Sequence, residues 1–510
     1  MTANFYTVLA QQFPPDQTAC AIETQNSETQ SGQYYSWADL INGSGRIANL
    51  FKALKLKRGD RVAVQIEKSP EAVMLYLAVL RAGLVFVPLN TAYQSSEVDY
   101  FISDAKPAVV ICSPDNLEWI KSIAAKYGAV HVYTLAETVK RLRKDSLLTA
   151  AASQKNNHVC VDVAPSDLAA ILYTSGTTGR SKGAMLTHDN LATNAQTLKT
   201  YWGWRRSDVL LHALPIFHVH GLFVALHGAL LSGSKMIWHN KFDATAVIAA
   251  LPRATVMMGV PTMYVRLLDS AAFTSKVARN VRLFISGSAP LLRETFIQFE
   301  ERIGKRILER YGMSETIMLT SNPLNGERIA GTVGLALPQV QVRVADDHGK
   351  SVEANGIGGI QVKGPNVFAG YWQMPEKTNE EFTADGFFKT GDVGQMDSRG
   401  YISIVGRSKD LIITGGYNVY PKEIESLIDE LPGVLESAVI GVAHRDFGEA
   451  VTAVVVPKAG VQLDEASMIA LLKVSIANFK VPKRIYFVDS LPRNTMGKVQ
   501  KNSLREQFAG

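Results

Sequence analysis

Cysteine is nearly absent: Cys20, Cys112 and Cys160 are the only three in 510 residues, odd in number and far apart. A disulfide framework is therefore excluded, no thiolate metal spacing exists, and free thiols in a reducing compartment are expected. No uncharged apolar run reaches bilayer length, so no membrane partner is expected. The N-terminal MTANFYTVLAQQFPPDQ lacks both a basic leader and a long apolar core, and a cytoplasmic location is expected. Neither sign of charge forms a long run, and 53 basic residues stand against 47 acidic ones, a net +6. Without a basic stripe interleaved with aromatics, nucleic acid is not an expected partner, whereas the mild positive balance suits small anions. Repeats and low-complexity segments are missing too. The sequence sets no oligomeric state and is compatible with a monomer.

What is present is 46% apolar residues in a chain too long for one ordinary core, so two or more domains are expected. Strand and helix patterns alternate through the first two-thirds. Arg61–Ile66 alternates as a strand, Ser69-Pro70-Glu71 caps a helix running to Ala82, and Gly83 follows it. Strand patterns recur at 84–89, 107–112, 209–214, 255–260 and 281–285, with helical stretches between several of them. Such an order predicts an α/β fold of parallel-rich sheets flanked by helices. From about 341 to 407 the pattern changes to short strands and Gly-rich turns, predicting a β-rich subdomain. A smaller α+β unit is expected after Lys409-Asp410. The predicted domains are therefore residues 1–407 and 410–510, with a short polar hinge at Lys409.

One segment concentrates chemistry. Tyr173-Thr-Ser-Gly-Thr-Thr-Gly-Arg-Ser-Lys-Gly183 follows an apolar strand and precedes a helix-like segment. Gly176, Gly179 and Gly183 permit tight turns and close approach of backbone amides to an anion. Thr174, Ser175, Thr177, Thr178 and Ser181 supply hydroxyl donors, and Lys182 supplies charge. Ser181 stands where a Walker A loop needs its second glycine, so the loop is of another kind. Taken alone, it also reads as a solvated Ser/Thr/Gly turn. His218 and His220 stand at i, i+2, but no third ligand accompanies them, which argues against a metal.

Eight motifs occur in order: YTSGTTGRSKG at 173–183, LPIFHVHG at 214–221, GVPT at 259–262, SGSAPL at 286–291, YGMSET at 311–316, GFFKTGD at 386–392, GRSKD at 406–410 and PRNTMGK at 492–498. Together they make the chain resemble, essentially end to end, the acyl-adenylate-forming superfamily of acyl-CoA synthetases, adenylation domains and beetle luciferases. The resemblance implies ATP-driven formation of an acyl-AMP from a carboxylate, then transfer of the acyl group to a thiol such as that of CoA. Its residue roles carry over as expectations. Glu315 would hold Mg2+ against ATP oxygens; Ser314 replaces the commoner Thr, keeping the hydroxyl. Gly287, Ser288, Ala289 and Pro290 would frame adenine, with Tyr311 stacking on the ring and Gly312 and Met313 completing that loop. Asp392 would accept the ribose hydroxyls and Arg407 would contact ribose or phosphate. Lys498 would reach the substrate carboxylate and α-phosphate, and His218 would lie beside that carboxylate. After adenylation the small domain would turn about Lys409, withdrawing Lys498 and bringing Gly415 and Gly416 to a thiol tunnel. Without the resemblance, Tyr311 also reads as a core aromatic, Asp392 as a turn residue and Lys498 as a solvated lysine.

The acid is suggested by two arginines. If Glu309–Tyr311 is a strand, Arg310 points opposite to Tyr311, toward the acyl side. Arg266 sits one helical turn beyond Thr262, on an expected pocket-side helix. A buried carboxylate needs a partner, and a guanidinium supplies bidentate hydrogen bonds with permanent charge. The pair therefore predicts a dicarboxylate, one acid activated and the other clamped; surface ion pairs are the other reading of both arginines. GVPTMYVRLL, RLFISGSAPLL and ERYGMSET together are similar to malonyl-CoA synthetases, which implies malonate and, with one methyl more, methylmalonate. Another small, medium-chain or aromatic acid is the alternative within the superfamily. A luciferase-like oxygenase and a catalytically silent binding protein are the alternatives outside it.

Overall fold

The computed structural model describes residues 3–24, 32–129, 131–136, 145–174, 181–346, 348–414, 417–444, 447–494 and 497–508. Its organising element is the helix Pro70–Arg81, in which all twelve residues are buried. The sequence explains the helix: Ser69 accepts the Ala72 N–H, Pro70 occupies the first turn, and the body is apolar all round. Its side chains share one core with strands of two sheets. The first sheet runs in the order His131–Thr134, Val109–Cys112, Arg61–Gln65, Val85–Pro88, Leu168–Thr174, Lys182–Thr187, parallel except at its last strand. The second has nine strands, with a parallel centre formed by Leu308–Tyr311, Leu283–Ser286, Val256–Gly259, Val209–His212, Lys235–Trp238 and Cys20–Thr24.

The expected β-rich subdomain is an antiparallel sheet of Gln341–Ala345, Ile357–Lys363, Phe388–Met396 and Ile402–Arg407. Beyond the 3-10 turn Ser408–Asp410 lies a small α+β unit. Its sheet is built round the long hairpin Val434–His444 and Gly448–Pro457, and it has a core of its own. The α/β class is thus as the alternating pattern predicts. One local expectation is corrected: the glycine–hydroxyl loop leads first into the strand Lys182–Thr187, and only then into the helix His188–Tyr201. The strand forms because Thr174 pairs with Lys182 and the two chains run back antiparallel. Among the described residues no helix is long and apolar enough to cross a membrane.

Candidate active site at the carboxyl ends of the strands

In open α/β sheets, ligands lie beyond the carboxyl ends of the strands. The motifs gather there because Thr174, Gly287 and Tyr311 end or follow their strands. Ser175, Gly176, Thr177, Thr178 and Gly179 lie outside the described residues, but both stems of their loop are placed. Thr174 Oγ1 lies 3.4 Å from Glu315 Oε1 and can donate to it. Tyr371 Oη donates to the same oxygen at 3.1 Å. Lys182 reaches Glu381 at 3.5 Å and lies 4.2 Å from the Tyr371 ring centre. Glu315 is buried, and burial pushes its carboxyl up. Met313, Ser314 and Glu315 follow Gly312 in a turn so tight that a Cβ on Gly312 would lie 2.0 Å from the Ile317 carbonyl oxygen.

A second group faces this one. Asp392 and Arg407 are directly paired on adjacent strands, and Arg407 Nε lies 2.6 Å from Asp392 Oδ1. Tyr311 Oη donates to the other carboxylate oxygen. Asp392 is thus buried and held from two sides, with Tyr311 presenting its ring beside it. Ser288 adopts a left-handed backbone (φ +72°) in the segment Gly287–Pro290, and its Oγ lies 3.2 Å from His220 Nδ1.

The small unit reaches into the same cleft. Gly497 (φ +75°) packs on the helix Pro261–Leu268, and a Cβ there would lie 3.1 Å from Thr262 Oγ1. The following residue, Lys498, keeps solvent access along the cleft, yet protein closes round it. Burial, reinforced by Arg407 and Arg310, pulls its pKa down to about 8 against the opposing pull of Asp392 and Glu315. Lys458 of the small unit pairs with Glu294 at 3.0 Å. Lys409 sits in the exposed connecting turn, where Asp410 pairs with Arg505 at 2.9 Å. Gly415 and Gly416 lie outside the described residues.

On the acyl side, burial pulls His218 down to about 3, with Lys498 and Arg310 adding to the shift, so its ring is neutral at physiological pH. Its Nδ1 accepts the His220 N–H at 3.2 Å, which leaves the proton on Nε2 as a donor. Arg310 is 2% exposed, and its Nε and Nη2 make no hydrogen bond among the described residues. Burial lowers it to about 9, so at neutral pH it still carries its charge. Its neighbour Glu309 does not neutralise it. Alternation along the strand turns Glu309 to the other face, where it accepts the Leu291 N–H at 3.2 Å and burial raises its carboxyl to about 8. The guanidinium packs on Gly287, where a Cβ would lie 2.5 Å from Arg310 Cζ. Gly287→Ala is therefore expected to displace Arg310 and lower kcat/KM for the acid by roughly 10²-fold, because small misplacements are that costly. The same change in an Arg310→Leu background should add little; steady-state kinetics of the double mutant check this.

Arg266 does not join Arg310 as a buried partner. Its helix buries Pro261, Tyr264, Leu267 and Leu268 against the sheet, while position 266 shares the outward face of Thr262 and is exposed, with no hydrogen bond or ion pair among the described residues. Sequence reasoning missed Tyr371, which braces Glu315 and Lys182 together. It lay within KGPNVFAGYW, but nothing in that stretch marks a tyrosine for a site. The wide-turned helix His220–Leu226 was missed as well; such π-type turns concentrate at functional sites.

A large lobe of two parallel-rich sheets and a β-rich subdomain, over which a small lobe lays a lysine, defines a class of two-lobed nucleotide-binding enzymes. The chain belongs to the AMP-binding enzyme family: that family's model matches residues 8–372, and the model of the AMP-binding enzyme C-terminal domain matches residues 423–498. It is similar to the malonate–CoA ligase of Arabidopsis thaliana, 36% identical over 94% of this chain and 85% of that protein. It is nearly as similar to a feruloyl-CoA synthase of an Amycolatopsis species, 35% identical over 94% of each. Among solved structures, ATP-bound MatB from Rhodopseudomonas palustris is 55% identical with a TM-score of 0.95, over 100% of this chain and 99% of that one.

Proposed function

We propose that the chain is an AMP-forming malonate–CoA ligase that also accepts methylmalonate. The observation that carries this reading is Arg310: a buried guanidinium without a carboxylate partner among the described residues, beside His218 and within the field of Lys498. A monocarboxylic acid would leave that charge unpaired, whereas the second carboxylate of a short diacid answers it. Arg266, exposed on the Thr262 face, is the residue we assign to guide the diacid in. The Arabidopsis ligase supports the same acid.

In the first half-reaction a malonate oxygen bonds to the α-phosphorus of ATP as the bond to pyrophosphate breaks. Asp392 would receive the ribose hydroxyls while Tyr311 and the Gly287–Pro290 segment border the adenine. Lys182, Thr174 and the hydroxyl loop would hold the phosphates. Lys498 would stand between carboxylate and α-phosphate, reducing the repulsion between two anions and steadying charge on the transferring group. His218 would donate from Nε2 to the activated carboxylate. Glu315 fits Mg2+: it is a carboxylate among hydroxyl oxygens, and no trio of His, Cys, Asp or Glu gathers among the described residues, so phosphate and water would complete the shell. Bound there, Mg2+ would offset phosphate charge. In the second half-reaction the CoA sulfur bonds to the acyl carbon, the thiol proton is lost and AMP leaves. We assign Lys409 as the pivot that withdraws Lys498 and brings residues 415–416 to the thiol.

The test is pyrophosphate release without CoA over a panel of mono- and diacids, followed by detection of the CoA thioester. Malonate should exceed octanoate and benzoate by about 10²-fold or more in kcat/KM. Equal use of a monoacid, or ADP in place of AMP, overturns the reading.

A further inference from the structure

Lys68, in the Glu67-Lys68-Ser69-Pro70 segment, has no part in the chemistry above, yet it is 6% exposed and forms no ion pair among the described residues. Its Nζ lies 2.7 Å from the His212 carbonyl oxygen, 2.6 Å from the His239 carbonyl oxygen and 3.0 Å from His212 Nδ1. The same nitrogen lies 4.2 Å from the centre of the Trp238 ring. His212 Nε2 in turn lies 3.0 Å from the Gly221 carbonyl oxygen. Carbonyl oxygens only accept, so these distances fix the protons. Nε2 must carry one for Gly221, and Nζ must spend two on the carbonyls. One more proton lies between Nζ and Nδ1, and since lysine is far the stronger base it resides on Nζ. Burial pulls Lys68 well below the usual lysine range, but three acceptors and an aromatic face oppose that pull.

A buried cation without a counter-charge is a poor way to hold a core together, because a hydrophobic residue of similar size does it at less cost. Its position says what it serves. Lys68 follows a strand of the six-stranded sheet and grips the carboxyl ends of two strands of the nine-stranded sheet. Gly221, which it reaches through His212, lies in the first turn of the π-type helix His220–Leu226. That turn admits no side chain, since a Cβ on Gly221 would lie 2.0 Å from the Pro215 carbonyl oxygen. Immediately before Gly221 come the two histidines of the acyl side. His218 carries its proton on Nε2, and the wholly buried His220 bonds Ser288 and leaves its own Nε2 unpartnered among the described residues.

We infer that Lys68 is a positioning residue: its buried ammonium holds His212 in the Nε2–H tautomer, His212 ties the Gly221 carbonyl, and this relay sets the wall bearing His218 and His220 against the acid. The kinetic part rests on the malonate–CoA ligase reading; the tautomer does not. Lys68→Met frees His212 to take the other tautomer and lose the Gly221 bond. kcat/KM for malonate in pyrophosphate release should fall about ten- to hundred-fold, while KM for ATP, whose ribose and phosphates we assign to Asp392, Thr174 and Lys182, should change less, because only Ser288 of the adenine border touches this wall.

His212→Gln offers an N–H at the Nε2 position that needs no lysine to orient it, so Lys68→Met/His212→Gln should recover at least about tenfold over Lys68→Met. Histidine-selective 15N NMR of the unsubstituted protein should show His212 neutral and protonated at Nε2. A wild-type enzyme inert toward malonate would sink the substrate reading and leave the tautomer test standing. An active wild type with His212 protonated at Nδ1, a Lys68→Met enzyme of unchanged kcat/KM, or equal rises in both KM values without rescue would overturn the relay. Should Lys68→Met fail to fold, the NMR measurement and the single His212→Gln variant decide. That variant should keep the KM for malonate within about threefold, and loss of malonate saturation in a folded protein counts against the relay.

Discussion

Lys498→Ala should lose pyrophosphate release from malonate and ATP by about 10²–10³-fold or more, yet still convert supplied malonyl-AMP and CoA to malonyl-CoA. The first loss is expected because the lysine enters the cleft among Arg407, Asp392, Glu315 and Arg310, where the acid and the phosphate would meet. The second activity is expected because withdrawal of Lys498 is part of the proposed thiol-transfer state. Two assays on one variant separate the roles: equal loss in both would reject the assigned division of labour. A pH profile carries the sign. Burial holds Lys498 near 8, below the usual lysine value, so it is an ammonium only below that pH. The lysine acts here as a charge and not as a base. kcat/KM for adenylation, which reports the free enzyme, should therefore fall as pH rises through about 8. Lys498→Arg should move that descending limb upward even if its rate is lower, since guanidinium keeps its proton. A limb rising through pH 8 would mean that the lysine works in its neutral form.

The α/β order was legible because buried parallel strands and capped helices leave strong local marks. Ser69-Pro70 opening a helix and Val85–Pro88 running apolar are examples. Gly287 and Gly312 were singled out only through the resemblance; in the folded chain a side chain there would meet Arg310 and the Ile317 carbonyl. Alternation along Leu308–Tyr311 also placed Arg310 and Tyr311 correctly on opposite faces. What was not legible depends on distant parts of the chain. The strand after the loop forms only because Lys182 finds Thr174 across the hairpin. Arg266 follows a helical face that the sequence could phase but not orient, and it lies on the exposed side. Tyr371 and Lys68 act through residues 56 and 144 positions away, which no local period reports. Burial without a partner, the property that singles out Arg310, exists only once the fold is made.

Arg310→Leu should separate substrate choice from stability. An unpaired carboxylate in a buried pocket costs about 3–5 kcal/mol, so kcat/KM for malonate should fall by roughly 10²–10³-fold. Short monoacids such as butyrate should lose nothing and gain relative to malonate, because the variant pocket no longer leaves a cation bare. The folded protein should not suffer. In the free enzyme Arg310 Nε and Nη2 have no partner among the described residues, and replacing such a charge with an apolar side chain is neutral or stabilising. The unliganded Tm should therefore hold or rise, whereas a structural ion pair, if Arg310 made one, would lower it on removal. Addition of malonate should raise the Tm of the parent protein and leave that of Arg310→Leu unmoved, since only a ligand bound to the native state shifts it. Arg266→Leu, changing an exposed residue, should raise the KM for malonate by a smaller factor with little change in kcat. If Arg310→Leu unfolds early while malonate turnover per folded molecule survives, the guanidinium serves the fold, and the diacid must be recognised elsewhere.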